Sequence, residues 1–115
     1  MAQAMRKIET EPAPALGAAG RAQALAVITL GFATDPIARW FWPDAADYLR
    51  WMPLFTAAFS GGALDEGPAD LSPCGRAAAF WLPPGVHSDS DSLGALVDDS
   101  IPARRRGEID AFLGR

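Results

Sequence analysis

Between Arg76 and Gly85 the chain reads Arg-Ala-Ala-Ala-Phe-Trp-Leu-Pro-Pro-Gly. Small, apolar and aromatic residues follow Arg76 without a charge, the pattern of a strand buried on both faces. Pro83 and Pro84 remove two successive backbone donors and Gly85 turns the chain, so the strand Ala77 to Leu82 ends there. A strand this apolar predicts cover above and below, for which the helical segments on either side are the obvious source.

The other periodicities fall into order around it. Arg6 to Thr10 alternates about Ile8 and predicts a short first strand, broken by Glu11-Pro12-Ala13-Pro14. Arg21 to Phe32 is almost continuously apolar, with Leu25, Ile28 and Phe32 at helical spacing. Val27-Ile28-Thr29 also suits a strand, but the length without a breaker favours helix. Pro36 suits a first helical position, with Thr34 or Asp35 as cap, and opens a short aromatic segment, Ile37 to Trp42. Asp44 caps a longer helix whose apolar stripe is Tyr48, Met52, Phe55 and Phe59, with a kink or break expected near Met52 because of Pro53 and a stop at Gly61-Gly62.

Ala63 to Glu66 reads as a short strand and Gly67 to Gly75 as a turn-rich loop, which makes an antiparallel hairpin with Ala77 to Leu82. A helix follows over Leu93 to Val97. The last one starts at Ser100-Ile101-Pro102, shows Ile109, Phe112 and Leu113 as its apolar face, and stops at Gly114. The order is a strand, three helical pieces, two strands and two helices, condensed as β-α-α-β-β-α-α. This is an α+β (mixed α/β) class with helices packed on a small, mostly antiparallel sheet.

Composition narrows the picture. The 115 residues are 50% hydrophobic and 21% charged, which suits one folded domain over residues 1–115. The net charge of −4 argues against a nucleic-acid or anionic-membrane partner. Ala22 to Ala33, the longest apolar stretch, falls short of the roughly 20 residues that span a bilayer. The N-terminus lacks the apolar core of a signal peptide. A lone cysteine, Cys74, excludes an internal disulfide and a multi-thiolate metal site and fits a reducing cytoplasm.

Three strings in order carry a resemblance: Leu30-Gly31-Phe32-Ala33-Thr34-Asp35-Pro36-Ile37-Ala38-Arg39-Trp40, then Trp42-Pro43-Asp44, then Ala79-Phe80-Trp81-Leu82-Pro83-Pro84-Gly85. With the element order, they resemble the N-terminal half of the GNAT superfamily of acyl-CoA-dependent N-acetyltransferases, in the branch similar to puromycin acetyltransferase. The resemblance covers nearly the whole chain and implies acetyl-CoA as cofactor and a small amine as acceptor. It also implies that Phe32, Asp35, Arg39 and Trp40 border the acceptor pocket. The same four have a purely structural reading, since aromatics at this spacing fill cores and an aspartate before proline caps a helix. The family holds acyl-CoA with a Q/R-x-x-G-x-G/A loop. None of the 11 glycines here forms a G-x-G pair, and neither Gln3 nor Gln23 precedes one. No catalytic or cofactor-binding residue is therefore assigned, and the chain alone is expected neither to bind acetyl-CoA nor to acetylate.

Other constellations are weaker. His87 with Ser88, Asp89 and Asp91 reads as a polar cap before a helix; as a calcium loop it would place Leu93 and Ser100 where oxygen ligands are required. Arg104-Arg105-Arg106 reads as a solvated helix face rather than a phosphate site. Cys74, in its turn-rich loop, reads as an incidental thiol. Two functional expectations result. One is an acetyltransferase half that supplies pocket wall and part of a sheet. The other is a non-enzymatic half-fold that binds a partner or self-associates through the strand Ala77 to Leu82.

Overall fold

The computed structural model describes residues 16–114, which form six helices and a two-stranded sheet. The helices are α1 (Gly17–Gly31), α2 (Pro36–Phe41), α3 (Ala45–Phe59), α4 (Ala63–Glu66), α5 (Ser90–Ser100) and α6 (Ala103–Leu113). The strands β1 (Ala69–Leu71) and β2 (Ala78–Phe80) lie between α4 and α5 and pair antiparallel. The class is mixed helix and antiparallel sheet. The strand expected at Arg6 to Thr10 lies outside the described residues. No described helix is long and apolar enough to cross a membrane.

The helix starts follow their local chemistry. Asp35 Oδ2 accepts from the Ala38 amide at 2.9 Å, Asp44 Oδ1 from the Asp47 amide at 2.9 Å, and Asp89 Oδ1 from the Ser92 amide at 3.1 Å. These side chains satisfy amides that the first turn leaves without carbonyl partners. Asp89 also accepts from Ser92 Oγ at 2.7 Å, and its carboxyl sits below its ordinary range chiefly because of that bond. The resulting helix α5 extends beyond the expected Leu93 to Val97 at both ends.

Two segments depart from the sequence expectation. Ala63 to Glu66 is a single helical turn, not a strand, because Ala63 and Leu64 bury together, at 2% and 1% exposure, in a way alternation does not allow. Its place in the hairpin is taken by Ala69 to Leu71, inside the expected loop. The second departure is Pro53, which lacks an amide to donate, yet α3 runs through it unbroken.

A larger correction concerns β2. The register sets Ala69 opposite Phe80, Asp70 opposite Ala79 and Leu71 opposite Ala78. Ala78 and Phe80 share one face with Ala69 and pack with Leu16, Ala24, Leu25 and Leu64. The opposite face carries Ala79 and Trp81, with Trp81 58% exposed and its Nε1 donating to Asp70 Oδ2 at 3.1 Å. So β2 is covered on one face, not two: α1 and Leu64 of α4 pack on that face, while Trp81 on the other is exposed.

The main core gathers Phe41 and Trp42 with Tyr48, Met52, Val97 and Ile109. Phe41 and Trp42 meet edge to face, and each meets Phe55 the same way. Trp42 Nε1 donates to Ser100 Oγ at 2.9 Å, which gives this buried indole its partner. Two arginines of the basic run are also tied down rather than solvated. Arg105 donates to the carbonyls of Trp40 and Phe41, and Arg106 Nε donates to the Ile101 carbonyl at 3.0 Å. Only Arg104 of the three is exposed. Of the apolar residues expected on α6, Ile109 is fully buried, whereas Phe112 and Leu113 are 54% and 40% exposed.

The loop after β2 is clamped to the end of α3. The Asp89 amide donates to the Ala58 carbonyl at 3.0 Å, and Ser88 Oγ donates to the Phe59 carbonyl. The Ala58 carbonyl also accepts from the Gly61 amide at 3.2 Å, so the loop adds to the closing turn of the helix. The clamp requires Gly61, whose φ is +59° and where a Cβ would lie 2.7 Å from the His87 carbonyl oxygen. Gly61→Ala is expected to lower stability by about 1–3 kcal/mol in urea unfolding, combining left-handed strain with that contact. An unchanged midpoint would show that the loop is not held there.

Candidate functional site

The four residues expected at an acceptor pocket divide into two pairs. Phe32, 47% exposed, follows α1, and Asp35 closes the turn that leads into α2. Both line a hollow of about 240 Å³ that runs between the α2 aromatics and the end of α6. Arg39 and Trp40 do not line it.

Arg39 instead holds the chain together. Its Nη1 donates to the Ala33 carbonyl at 3.0 Å, Nη2 to the Pro43 carbonyl at 2.8 Å and Nε to the Trp42 carbonyl at 3.4 Å. Its guanidinium carbon stands 5.2 Å from the centre of the Tyr48 ring, a cation–π contact. Trp40 packs edge to face on Phe41 and Phe112. The arginine thus joins the turn before α2 to the segment after it, and thereby sets the position of Asp35.

A second hollow, of about 430 Å³, adjoins the first. Ile28 and Phe32, four residues of α3 (Met52, Phe55, Thr56 and Phe59) and the strand β2 line it. The two hollows share Phe32, Met52, Phe55 and Phe59. Phe55 and Phe59 lie stacked, with ring centroids 6.1 Å apart and planes at 16°. The size is that of a small-ligand pocket, for which about 300 to 1,000 Å³ is usual.

This hollow runs beside the open edge of β2. The Trp81 amide donates to the Pro68 carbonyl at 3.0 Å, and the Ser72 amide to the Ala77 carbonyl at 2.8 Å. In an antiparallel pair the bonded positions alternate, so Ala77, Ala79 and Trp81 turn their peptide groups toward β1. Ala78 and Phe80 therefore turn their amides and carbonyls outward. Among the described residues no further strand pairs with that edge.

Thr56 was not legible as a site residue. The expected stripe chose Phe55 and Phe59 for their hydrophobicity, but Tyr48, Met52 and Thr56, at steps of four, are the buried positions of α3. Thr56 is 3% exposed and its Oγ1 has no hydrogen-bond partner. That is unusual, since buried hydroxyls are nearly always paired. Thr29, similarly buried, donates to the Leu25 carbonyl at 2.7 Å. Spacing alone gave the signal for Thr56, and residue type masked it.

Carboxylates occupy the N-termini of α2, α3 and α5 as caps, where a phosphate would need bare amides. At α6, Arg105 and Arg106 are turned to carbonyls. No described group of three or more His, Cys, Asp or Glu could hold a metal ion. His87 is exposed on the loop before α5. Cys74 is also exposed, and its thiol is shifted below its ordinary value mainly by Ser72 Oγ at 3.4 Å. Comparison with protein-family models finds no match, and neither do comparisons with curated proteins and with solved structures.

Tyr48 links the site to the fold. Its hydroxyl donates to the Thr29 carbonyl at 2.6 Å, and burial, opposed by the Arg39 charge, raises its ionisation above the ordinary value near 10. The folded chain thus holds this proton more tightly than the unfolded one. The resulting stability is complete below pH 10 and falls as pH rises through the folded value. Tyr48 is the sole tyrosine, so tyrosinate absorbance reads it alone. Its titration midpoint is expected above that of the urea-unfolded chain, and equal midpoints would contradict the burial argument.

Proposed function

We propose that this chain is the acceptor-side half of a GNAT-type N-acetyltransferase fold, supplying pocket wall for a small amine and one edge of a sheet. The observation that supports the reading is the adjacency of two features. The open edge of β2 runs along a hollow that shares its lining with the one reaching Phe32 and Asp35. An acceptor pocket beside an unfilled strand position is what such a half would offer. The three sequence strings that carry the resemblance map onto the turn before α2, the start of α3, and β2 with its proline stop.

Chemistry is not assigned to this chain. With no Q/R-x-x-G-x-G/A loop in the sequence, acetyl-CoA would belong to a segment that adds its strand along β2. A second reading is favoured by the outward peptide groups of Ala78 and Phe80 themselves. They would accept a strand from another polypeptide, including a second copy, without any reaction.

Calorimetric titration of acetyl-CoA into the chain is expected to give no binding heat. Supplying the acyl-CoA-binding half of an enzyme of that branch in trans is expected to slow exchange at the Ala78 and Phe80 amides. Micromolar binding of acetyl-CoA by the chain alone, or no protection at those two amides, would count against the acetyltransferase reading.

A further inference from the structure

We infer that the open edge of β2 pairs with the same edge of a second copy, antiparallel about a two-fold axis at Ala79, so that the two hairpins form one continuous sheet. This deepens the strand-accepting reading by naming the partner and the register. It rests on that reading for the openness of the edge.

Hydrogen-bond geometry places the axis. The bond from the Ser72 amide to the Ala77 carbonyl and the bond from the Trp81 amide to the Pro68 carbonyl bound the stretch of β2 that β1 holds extended. Within that stretch Ala78 and Phe80 turn their peptide groups outward, and Ala79 is its midpoint. An axis at Ala79 sets Ala78 opposite Phe80 of the second copy, where the two residues exchange both bonds, and symmetry repeats the pair. Every outward amide and carbonyl of the stretch is then satisfied. An axis at Ala78 or at Phe80 would pair only one outward position of each chain within it.

The side chains suit a copy of the same strand. In this register Phe80 meets Ala78, Trp81 meets Ala77, and Ala79 meets Ala79. Each bulky residue is set opposite an alanine, and no like charges are opposed. Phe80 already packs with Leu16, Ala24 and Leu25, and an alanine opposite leaves its ring in place. Trp81 leans over β1, where its Nε1 donates to Asp70, so the indole does not cover the edge. Ala77 to Leu82 also holds no charge and no proline, since Pro83 and Pro84 stand beyond it. An edge that stays single ordinarily carries such a guard.

Two edges in contact bury little surface, so the pairing belongs to the weak class and fills only at high concentration. Amide exchange at Ala78 and Phe80 is expected to slow as the chain is raised from micromolar to millimolar, with light scattering moving from monomer to dimer. Disulfide trapping reads the register, in a Cys74→Ser background and a glutathione redox buffer. Across the axis the Ala79 Cα atoms would lie about 4.5 Å apart, within disulfide reach. The Ala77 positions share that face but would lie about 13 Å apart along the strands. Ala79→Cys is therefore expected to cross-link at least about tenfold faster than Ala77→Cys. Ala78→Pro removes one outward amide and nothing from the β1 ladder, and it should stay monomeric with its near-UV spectrum unchanged. Equal cross-linking at 77 and 79, or an Ala78→Pro chain that still dimerises, would overturn the assignment. So would a millimolar monomer whose Ala78 and Phe80 amides exchange quickly, and that result would leave the open-edge reading standing. Slow exchange of both amides in the micromolar monomer would instead defeat the open edge itself, and this pairing with it.

Discussion

Among the described residues the strand β2 makes its backbone hydrogen bonds on one side only, and the hollow lies along the other. Its inner edge is paired with β1 and one face is packed on α1. Its outer edge meets no strand among the described residues, and there α3 lines a hollow instead of closing on it. A peptide group left unpaired against apolar walls is unfavourable by an amount comparable to a lost hydrogen bond. The loop after β2 cannot swing in to satisfy those groups, because Ser88 and Asp89 hold it on the carbonyls of Phe59 and Ala58. The clamp at Gly61 thus fixes the loop after β2 on the end of α3.

A second constraint fixes the other end of the site. Six residues make a helix too short to persist alone, since nucleation is unfavourable and few bonds repay it. For α2, Asp35 and Pro36 set the start, while Arg39 and Arg105 take the carbonyls from Trp40 to Pro43 at the finish. Guanidinium groups suit this work, because several donors in one plane reach several carbonyls at once. The aromatic pair Phe41 and Trp42 is thereby held in the core, with Phe32 and Asp35 left at the rim of the hollow.

Where one residue type dictates one local geometry, the sequence could be read. The aspartate caps, Pro36, Gly61-Gly62 and Gly114 all stand where the punctuation of the chain places them. The hairpin was legible as a hairpin, and the strand before Pro83 as its second arm. Contacts between distant segments were not legible. That α1 covers only one face of β2, that Leu64 turns inward in a helical turn, and that Arg105 reaches Trp40 all depend on elements far apart in sequence. The site divided the same way. Asp35 could be read as a cap, whereas Arg39 ties carbonyls together and Thr56 was hidden by its neighbours in the stripe.

Amide hydrogen exchange along β2 tests the account most directly. In dilute solution Ala79 and Trp81, which face β1, are expected to exchange slowly, and Ala78 and Phe80, which face outward, to exchange quickly. Slow exchange at Ala78 and Phe80 in the dilute chain would mean that its own residues already fill the edge, and the reading of an unfilled strand position would be wrong.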